Sequence, residues 1–235
     1  MSAPVPTGSS ADSVASNPSQ PAAAAAAPAA LDAPRREPPA ATTGAAQLAG
    51  QSLTSDREDT KKRVLAALRR FPDFPIPGIQ FIDILPIFQD PKIFDALLQV
   101  LEAEIRETLG AIPDVIVGLD ARGFLFGPSL ALRLGCSFVP VRKKGKMPGP
   151  CMTASYEKEY GADYFQMQSD AIKPGQKVLV VDDIIATGGS AAAAASLVNQ
   201  LGGNLVGYLF MIEIGFLKGR DKLGDVPVIA LVDSD

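Results

Sequence analysis

Apolar runs without alternating polar positions recur along the second half of the chain, at residues 115–119, 138–141, 178–181, 205–212 and 227–232. Stretches with helical spacing separate most of these runs, at 127–134, 191–201 and, more briefly, 216–223. Strands that are apolar on both faces and alternate with helices are typical of a parallel sheet covered on both sides. We therefore predict a doubly wound α/β domain with a mainly parallel sheet and helices on both faces. Its ligands should bind at the carboxyl ends of the strands, where the strand order reverses.

Two helices are expected before the first of these strands. The apolar residues of 64–71 share one face of a helix, and the proline-rich stretch 72–78 should end it in an irregular loop. A second helix should begin after Asp90, because Asp is a good cap residue and Pro91 suits the first helical position. Gly110 supplies its end.

The first 52 residues have a different composition from the rest. They are mostly Ala, Pro, Ser, Gly and Thr, and the first aromatic residue of the chain is Phe71. Such a segment cannot bury enough apolar surface to offset the entropy lost on ordering. We therefore expect a disordered tail over 1–52 and one domain over 53–235.

The composition excludes several kinds of chemistry. The chain has no histidine, so Ser–His–Asp and Cys–His nucleophiles, His-ligated zinc and imidazole acid–base catalysis are excluded. The net charge of -4 gives no bulk cationic field, so neither nucleic acid nor a membrane surface is an expected partner. Cys136 and Cys151 are too few for a disulfide framework or a four-cysteine zinc site. We expect free thiols and a reducing, cytoplasmic location.

The most informative stretch follows the apolar run 178–181. Asp182 and Asp183 come first, then the small-residue turn 186–190, then the helix-forming run 191–195. Glycines let backbone N–H groups approach an anion, and a helix start adds partial positive charge, so the turn suits a phosphate monoester. Two adjacent carboxylates can accept hydrogen bonds from vicinal sugar hydroxyls. The order of acids, turn and helix matches neither the P-loop nor the dinucleotide-binding fingerprint. The alternative to a sugar-phosphate site is a strand end that is capped by Asp and turned by glycines, without a ligand.

This stretch resembles the signature of the type I phosphoribosyltransferases, in which an apolar strand ends in two acids followed by A-T-G-G-[ST]. By this resemblance, Asp182 and Asp183 hold the ribose hydroxyls of phosphoribosyl pyrophosphate (PRPP). The resemblance assigns its 5-phosphate to Ala186, Thr187, Gly188, Gly189 and Ser190.

Three more stretches resemble the members of that family that act on adenine. Residues 71–84 resemble the small N-terminal segment that binds the base, 118–128 the pyrophosphate loop, and 154–161 the mobile catalytic loop. The fungal members are the most similar ones, through 156–160 and the Ile184–Ile185 pair. The four stretches occur in the expected order.

The resemblance implies a role for each of these stretches. The residues near the base would be Gln80, Phe81 and Ile184. Those near the pyrophosphate would be Asp120, Ala121, Arg142, Lys143 and Lys146. Arg122 would stabilise the leaving pyrophosphate and Glu159 would handle the purine proton, as the two catalytic residues. A cis peptide is implied between Asp120 and Ala121. The alternatives to these roles are a surface arginine for Arg122, a solvated basic face for 142–146 and an exposed loop acid for Glu159.

The resemblance implies transfer of the phosphoribosyl group from PRPP to adenine, giving AMP and pyrophosphate. It also implies a homodimer, and Mg²⁺ carried mainly by PRPP without dedicated protein ligands. The stretch 146–161 has prolines and glycines and no sustained periodicity, which predicts a mobile lid. Ile82 stands where many members carry arginine. Two alternatives stay open, a transferase for 6-oxopurines and a PRPP-binding regulatory module without catalysis.

Overall fold

The computed structural model describes residues 58–74, 77–78, 80–157 and 162–233. The predicted tail over 1–52 and the candidate catalytic residue Glu159 lie outside these ranges. None of the helices within the ranges is both long enough and apolar enough to cross a membrane.

The described residues form four α-helices, nine strands and three short 3-10 helices. The α-helices are α1 (58–66), α2 (Pro91–Leu109), α3 (Gly123–Leu134) and α4 (Gly189–Gln200). The strands are β1 (Arg69–Phe71), β2 (Phe81–Asp83), β3 (Val115–Leu119), β4 (Ser137–Lys143), β5 (Cys151–Glu157), β6 (Ala162–Gln168), β7 (Lys177–Ile185), β8 (Asn204–Glu213) and β9 (Val228–Asp233). The 3-10 helices are Leu85–Gln89, Gly215–Leu217 and Gly219–Lys222.

Seven strands form the central sheet, in the order β5-β6-β4-β3-β7-β8-β9. The five strands from β4 to β9 in this order pair in parallel, whereas β5 and β6 form an antiparallel hairpin at the edge of β4. The chain runs from β3 outward to β4 and then returns to the other side of β3 with β7. The strand order therefore reverses between β3 and β7, which is where a ligand is expected.

Helices cover both faces of this sheet, and each face has its own apolar core. In β3, Ile116 packs on the side of α2 and α3, whereas Val115 and Val117 pack on the side of α4. The prediction of a mainly parallel, doubly wound sheet is therefore confirmed, and the five predicted strands correspond to β3, β4, β7, β8 and β9.

The second predicted helix has the predicted ends. The Asp90 carboxylate accepts hydrogen bonds from the backbone N–H groups of Lys92 and Ile93, at 2.8 and 3.4 Å. Gly110 ends α2 in the left-handed conformation, with φ of 63°. Both ends of α2 are therefore encoded by single residues.

Two local predictions are wrong. Helix α1 ends at residue 66, and Phe71, which is 45% exposed, belongs to β1 and pairs with Phe81 of β2. The expected short helix over 216–223 is instead two 3-10 turns. The stretch 146–161, in which the sequence shows no sustained periodicity, contains the strand β5, whose Ala154 faces the core while Thr153 and Ser155 face solvent.

Candidate active site

A pocket of about 470 Å³ opens where the strand order reverses, at the carboxyl ends of β3 and β7. Residues distant in sequence meet there. Of the predicted site residues, it is lined by Asp120, Ala121, Arg122, Lys143, Asp182, Asp183, Ile184, Ala186, Thr187, Gly188 and Ser190. The structure thus brings together most of the predicted ribose, phosphate and pyrophosphate residues.

The remaining predicted residues of the described ranges do not line the pocket directly. Phe81 contacts Arg122, which does line it. Arg142 donates hydrogen bonds to Asp120 at 3.2 Å and to the backbone carbonyl of Lys146 at 3.0 Å. Gly189 begins α4. The other two, Gln80 and Lys146, have exposed side chains outside the lining.

The segment after β3 packs closely against the backbone of β7 where it lines the pocket. The peptide between Asp120 and Ala121 is cis, as the resemblance implied. A Cβ atom on Gly123 would lie 2.6 Å from the carbonyl oxygen of Val181, so only glycine fits there. The start of α3 is therefore held against β7 directly before its two acids.

Arg122 links two parts of the site. Its Nη1 lies 3.0 Å from Oδ2 of Asp183, and the guanidinium carbon lies 5.3 Å from the centre of the Phe81 ring. Both distances fit attractive contacts, an ion pair and a cation–π contact. One cation thus contacts the predicted base-binding segment and the acid pair at once.

The acid pair is costly to ionise in the absence of a ligand. Asp183 is only 4% exposed, and its backbone N–H donates to the Asp182 carboxylate at 3.0 Å. Burial, and then the charge of Asp183, raise the pKa of Asp182 well above its usual range. Burial also raises the pKa of Asp183, against the opposing effect of Arg122. A ligand that donates hydroxyl hydrogen bonds would compensate this cost.

We predict that Asp182→Asn stabilises the unliganded protein at neutral pH while weakening PRPP binding. A raised pKa means that the folded protein holds a proton that the unfolded chain releases, so stability falls as pH rises through that window. Asn cannot ionise and avoids this loss. Thermal unfolding should give a higher Tm for the variant at neutral pH, and the gain should shrink as pH falls toward roughly 4, the ordinary range of a carboxyl group.

The exposed residue Asp170 provides the control, because Asp170→Asn makes the same substitution on the surface, away from the acid pair. It should leave both Tm and PRPP affinity near the wild-type values. A lower Tm for Asp182→Asn at neutral pH would contradict the prediction.

The turn 186–190, called the phosphate turn below, has two features of an anion site. Gly188 has φ of +75° and is the residue that precedes α4, and as a glycine it offers no side chain to cap the first turn of this helix. Uncapped N–H groups at a helix start are available to a phosphate group. Thr187 and Ser190 add hydroxyl groups to the same wall of the pocket.

Two aromatic residues that line the pocket were not predicted as site residues. Tyr156 of β5 and Phe165 of β6 lie with their ring centres 4.8 Å apart. The Tyr156 hydroxyl donates to Asp163 at 3.1 Å, and burial, then the Asp163 charge, raise the pKa of Tyr156 to about 12. The alternation of apolar and polar residues in β5 was the available signal, since it places Tyr156 on the same face as Ala154.

Comparisons with known proteins find relatives that share one family. Residues 87–218 match the family described as phosphoribosyl transferase domain. An adenine phosphoribosyltransferase from Yarrowia lipolytica is 61% identical over 159 residues, which are 67% of this chain and 87% of that protein. One from Cricetulus griseus is 49% identical over 175 residues, 74% of this chain and 97% of that protein. The fungal protein is the more similar of the two.

A solved structure shares the fold. The crystal structure of adenine phosphoribosyltransferase from Saccharomyces cerevisiae, complexed with D-2,5-dideoxy-2,5-imino-altritol 1,6-bisphosphate and adenine, matches with a TM-score of 0.73. It is 52% identical and covers 74% of this chain and 99% of its own. The similarity therefore extends over nearly the whole of that protein.

Proposed function

The chain belongs to the adenine phosphoribosyltransferases, and we infer that it transfers the 5-phosphoribosyl group of PRPP to adenine, releasing pyrophosphate and forming AMP. The observation that carries this inference is the pocket between β3 and β7. An acid pair, of which Asp183 is buried, and a helix start preceded by a glycine form adjacent walls of it, as a sugar phosphate requires. The reaction salvages a free purine base.

We propose the following roles within the pocket. Asp182 and Asp183 accept hydrogen bonds from the ribose hydroxyls, and the phosphate turn binds the 5-phosphate. Arg122 stabilises the pyrophosphate as it leaves, together with the backbone around Ala121 and the side chain of Lys143. Arg142 acts on this group through Asp120, with which it pairs at 3.2 Å.

The base would lie beside Arg122, between the wall that contains Ile184 and the segment that contains Phe81. Ile184 lines the pocket and Phe81 packs on Arg122, which supports this placement. Gln80 precedes β2 and is proposed to contribute backbone groups. Ile82 is 7% exposed and packs in the core beside α1 and α2, so its side chain is structural here.

The proposed chemistry breaks the bond between ribose C1 and the pyrophosphate oxygen, and a purine nitrogen forms the new bond to C1. Glu159 is proposed to take or share the proton of that nitrogen. The hairpin β5–β6 contributes Tyr156 and Phe165 to the pocket wall, which supports a role for its 158–161 connection in excluding water.

Mg²⁺ is proposed as the cofactor, held mainly by oxygens of PRPP. The described residues contain no group of three His, Cys, Asp or Glu side chains that could hold a metal ion. The donor chemistry nevertheless fits, because Asp182 and Asp183 are hard oxygen donors that could add a carboxylate ligand. When bound, the ion would neutralise charge on the pyrophosphate group.

A homodimer is proposed, on the basis of an apolar stripe on α3. Leu125, Pro128 and Leu132 follow helical spacing and are exposed, Leu132 to 84%. A stripe of this kind is a typical contact between subunits. Sedimentation of the purified protein would show a particle of twice the 24.6 kDa chain mass.

A cytoplasmic location is proposed from the cysteines. Cys136 and Cys151 are both free thiols in the structure, and thiols persist in reducing compartments. Fluorescence microscopy of the tagged chain in its own cell would test this location.

A competition assay tests the function directly. Purified protein is incubated with PRPP, Mg²⁺ and adenine, hypoxanthine or guanine, and the nucleotide formed is identified. AMP formation with adenine, far above the rates with the other bases, is expected. Preference for hypoxanthine or guanine would support the 6-oxopurine alternative, and PRPP binding without turnover would support the regulatory one.

We predict that residues 1–52 are dispensable for folding and catalysis, because their composition offers little apolar surface to pack on the domain. A chain that begins at Leu53 should unfold at the same Tm and turn over adenine at the same rate as the full chain. A large loss of either quantity would show that the tail packs on the domain.

A further inference from the structure

The segment after β8, residues 214–223, lies directly against the phosphate turn. The N–H of Ile214 donates to the carbonyl of Ile185 at 3.0 Å. Gly219 is buried in this contact, and a Cβ atom on it would overlap the carbonyl oxygen of Ala186 and lie 3.0 Å from the nitrogen of Gly188. Conversely, a Cβ atom on Gly188 would overlap the carbonyl oxygen of Gly219. The two backbones therefore touch with no room for a side chain on either.

Contacts of the residue after Gly219 hold it in this position, although Lys218 before it adopts the left-handed conformation, with φ of 52°, which is unfavourable for a residue with a side chain. Arg220 donates hydrogen bonds to both carboxylate oxygens of Glu213, at 2.7 and 2.6 Å, and to the carbonyl of Val228 at 3.0 Å. The segment is thereby tied to the end of β8 and to β9.

We propose that Gly219 is a positioning residue for the 5-phosphate site, acting through the phosphate turn without touching substrate. Backbone N–H groups bind an anion tightly only when they are already aimed at it. The contact with Gly219 fixes Ala186 and Gly188, and Gly188 sets the start of α4. This inference rests on the proposed function and deepens its 5-phosphate part.

The test compares ligands with and without the 5-phosphate. In Gly219→Ala, the affinities for AMP and PRPP should fall about tenfold or more, a change that corresponds to ~1.4 kcal/mol or more. Pyrophosphate, which does not occupy the phosphate turn, should bind as it does to the wild type. The KM for PRPP should rise while kcat changes much less.

Gly207→Ala is the matched control. Gly207 is also buried, and a Cβ atom on it would lie 3.0 Å from the carbonyl oxygen of Pro227 and 3.1 Å from the Leu109 side chain. This variant should lower the Tm without changing the affinity for AMP. A merely structural role for Gly219 would instead give both variants the same pattern.

If the Gly219→Ala variant fails to fold, the Arg220→Lys variant is measured in its place. It adds no bulk and loses the two-pronged contact with Glu213, so a smaller but still selective loss of AMP affinity is expected. A folded variant with wild-type AMP affinity, or with an equal loss of pyrophosphate affinity, would overturn the proposal.

Thr187→Ala and Ser190→Ala separate this proposal from the function on which it rests. If they weaken AMP binding and the variants of the 214–223 segment do not, the positioning role alone is wrong. If they leave AMP binding unchanged, the placement of the 5-phosphate is wrong and the positioning role falls with it.

Discussion

Replacing Glu159 by alanine is expected to lower kcat roughly 10²–10⁴-fold, the usual contribution of one acid–base group, with little change in PRPP affinity. Glu159 belongs to the stretch 154–161, whose described residue Tyr156 lines the pocket. A glutamate that shares the purine proton acts mainly in the transition state. The acids at the end of β7, by contrast, are proposed to bind the ribose in the ground state as well.

Asp183→Asn therefore provides the contrast, because it should weaken PRPP binding as well as turnover. Single-turnover rates and PRPP titrations distinguish the two patterns. Glu157→Ala, two residues before the proposed catalytic position, is the matched control and should keep near wild-type turnover. Loss in Glu157→Ala with activity retained in Glu159→Ala would shift the assignment by two residues. Retained activity in both would remove the catalytic role from this stretch.

The core of the fold was predictable because the local sequence signals there favour the same elements as the packing of the whole domain. Strands β3, β7 and β8 are apolar on both faces, and the caps of α2 at Asp90 and Gly110 are local signals. Strand β1 was not predictable in this way, since Arg69–Phe71 continues the helical pattern of the residues before it. Its conformation depends on pairing with β2, ten or more residues later in the chain.

The candidate site was predictable as a set of segments, whereas its contacts were not. The order of acids, turn and helix start in 182–191 is local and indicates a sugar phosphate. The ion pair of Arg122 with Asp183 joins residues 61 positions apart, and only the parallel pairing of β3 with β7 brings them together. The contact of Gly219 with the phosphate turn is equally non-local, because a glycine in sequence does not show which backbone lies against it.

Arg122→Lys should lower kcat/KM for PRPP by about 10²–10³-fold, the effect typical of removing a preorganised donor from a developing negative charge. Arg122 presents a planar group that can contact Asp183 and a pyrophosphate oxygen at once, while its face packs on Phe81. Lysine keeps the positive charge but lacks both the two-pronged arrangement of donors and the flat face of the guanidinium group. The variant therefore tests the geometry of the cation as well as its charge.

The reverse reaction, in which AMP and pyrophosphate form PRPP and adenine, isolates the group on which Arg122 is proposed to act. In Arg122→Lys the KM for pyrophosphate should rise and the rate should fall, whereas AMP should still bind through the phosphate turn. Arg133→Lys is the matched control, because Arg133 also pairs with a carboxylate, Asp95 at 2.6 Å, on the outer surface of α2 and α3. If Arg122→Lys showed wild-type pyrophosphate kinetics, stabilisation of the leaving pyrophosphate would be assigned to Lys143 and the backbone around Ala121. The contact of Arg122 with Asp183 would then serve chiefly to neutralise the buried acid pair, and the variant would show its main loss in thermal stability.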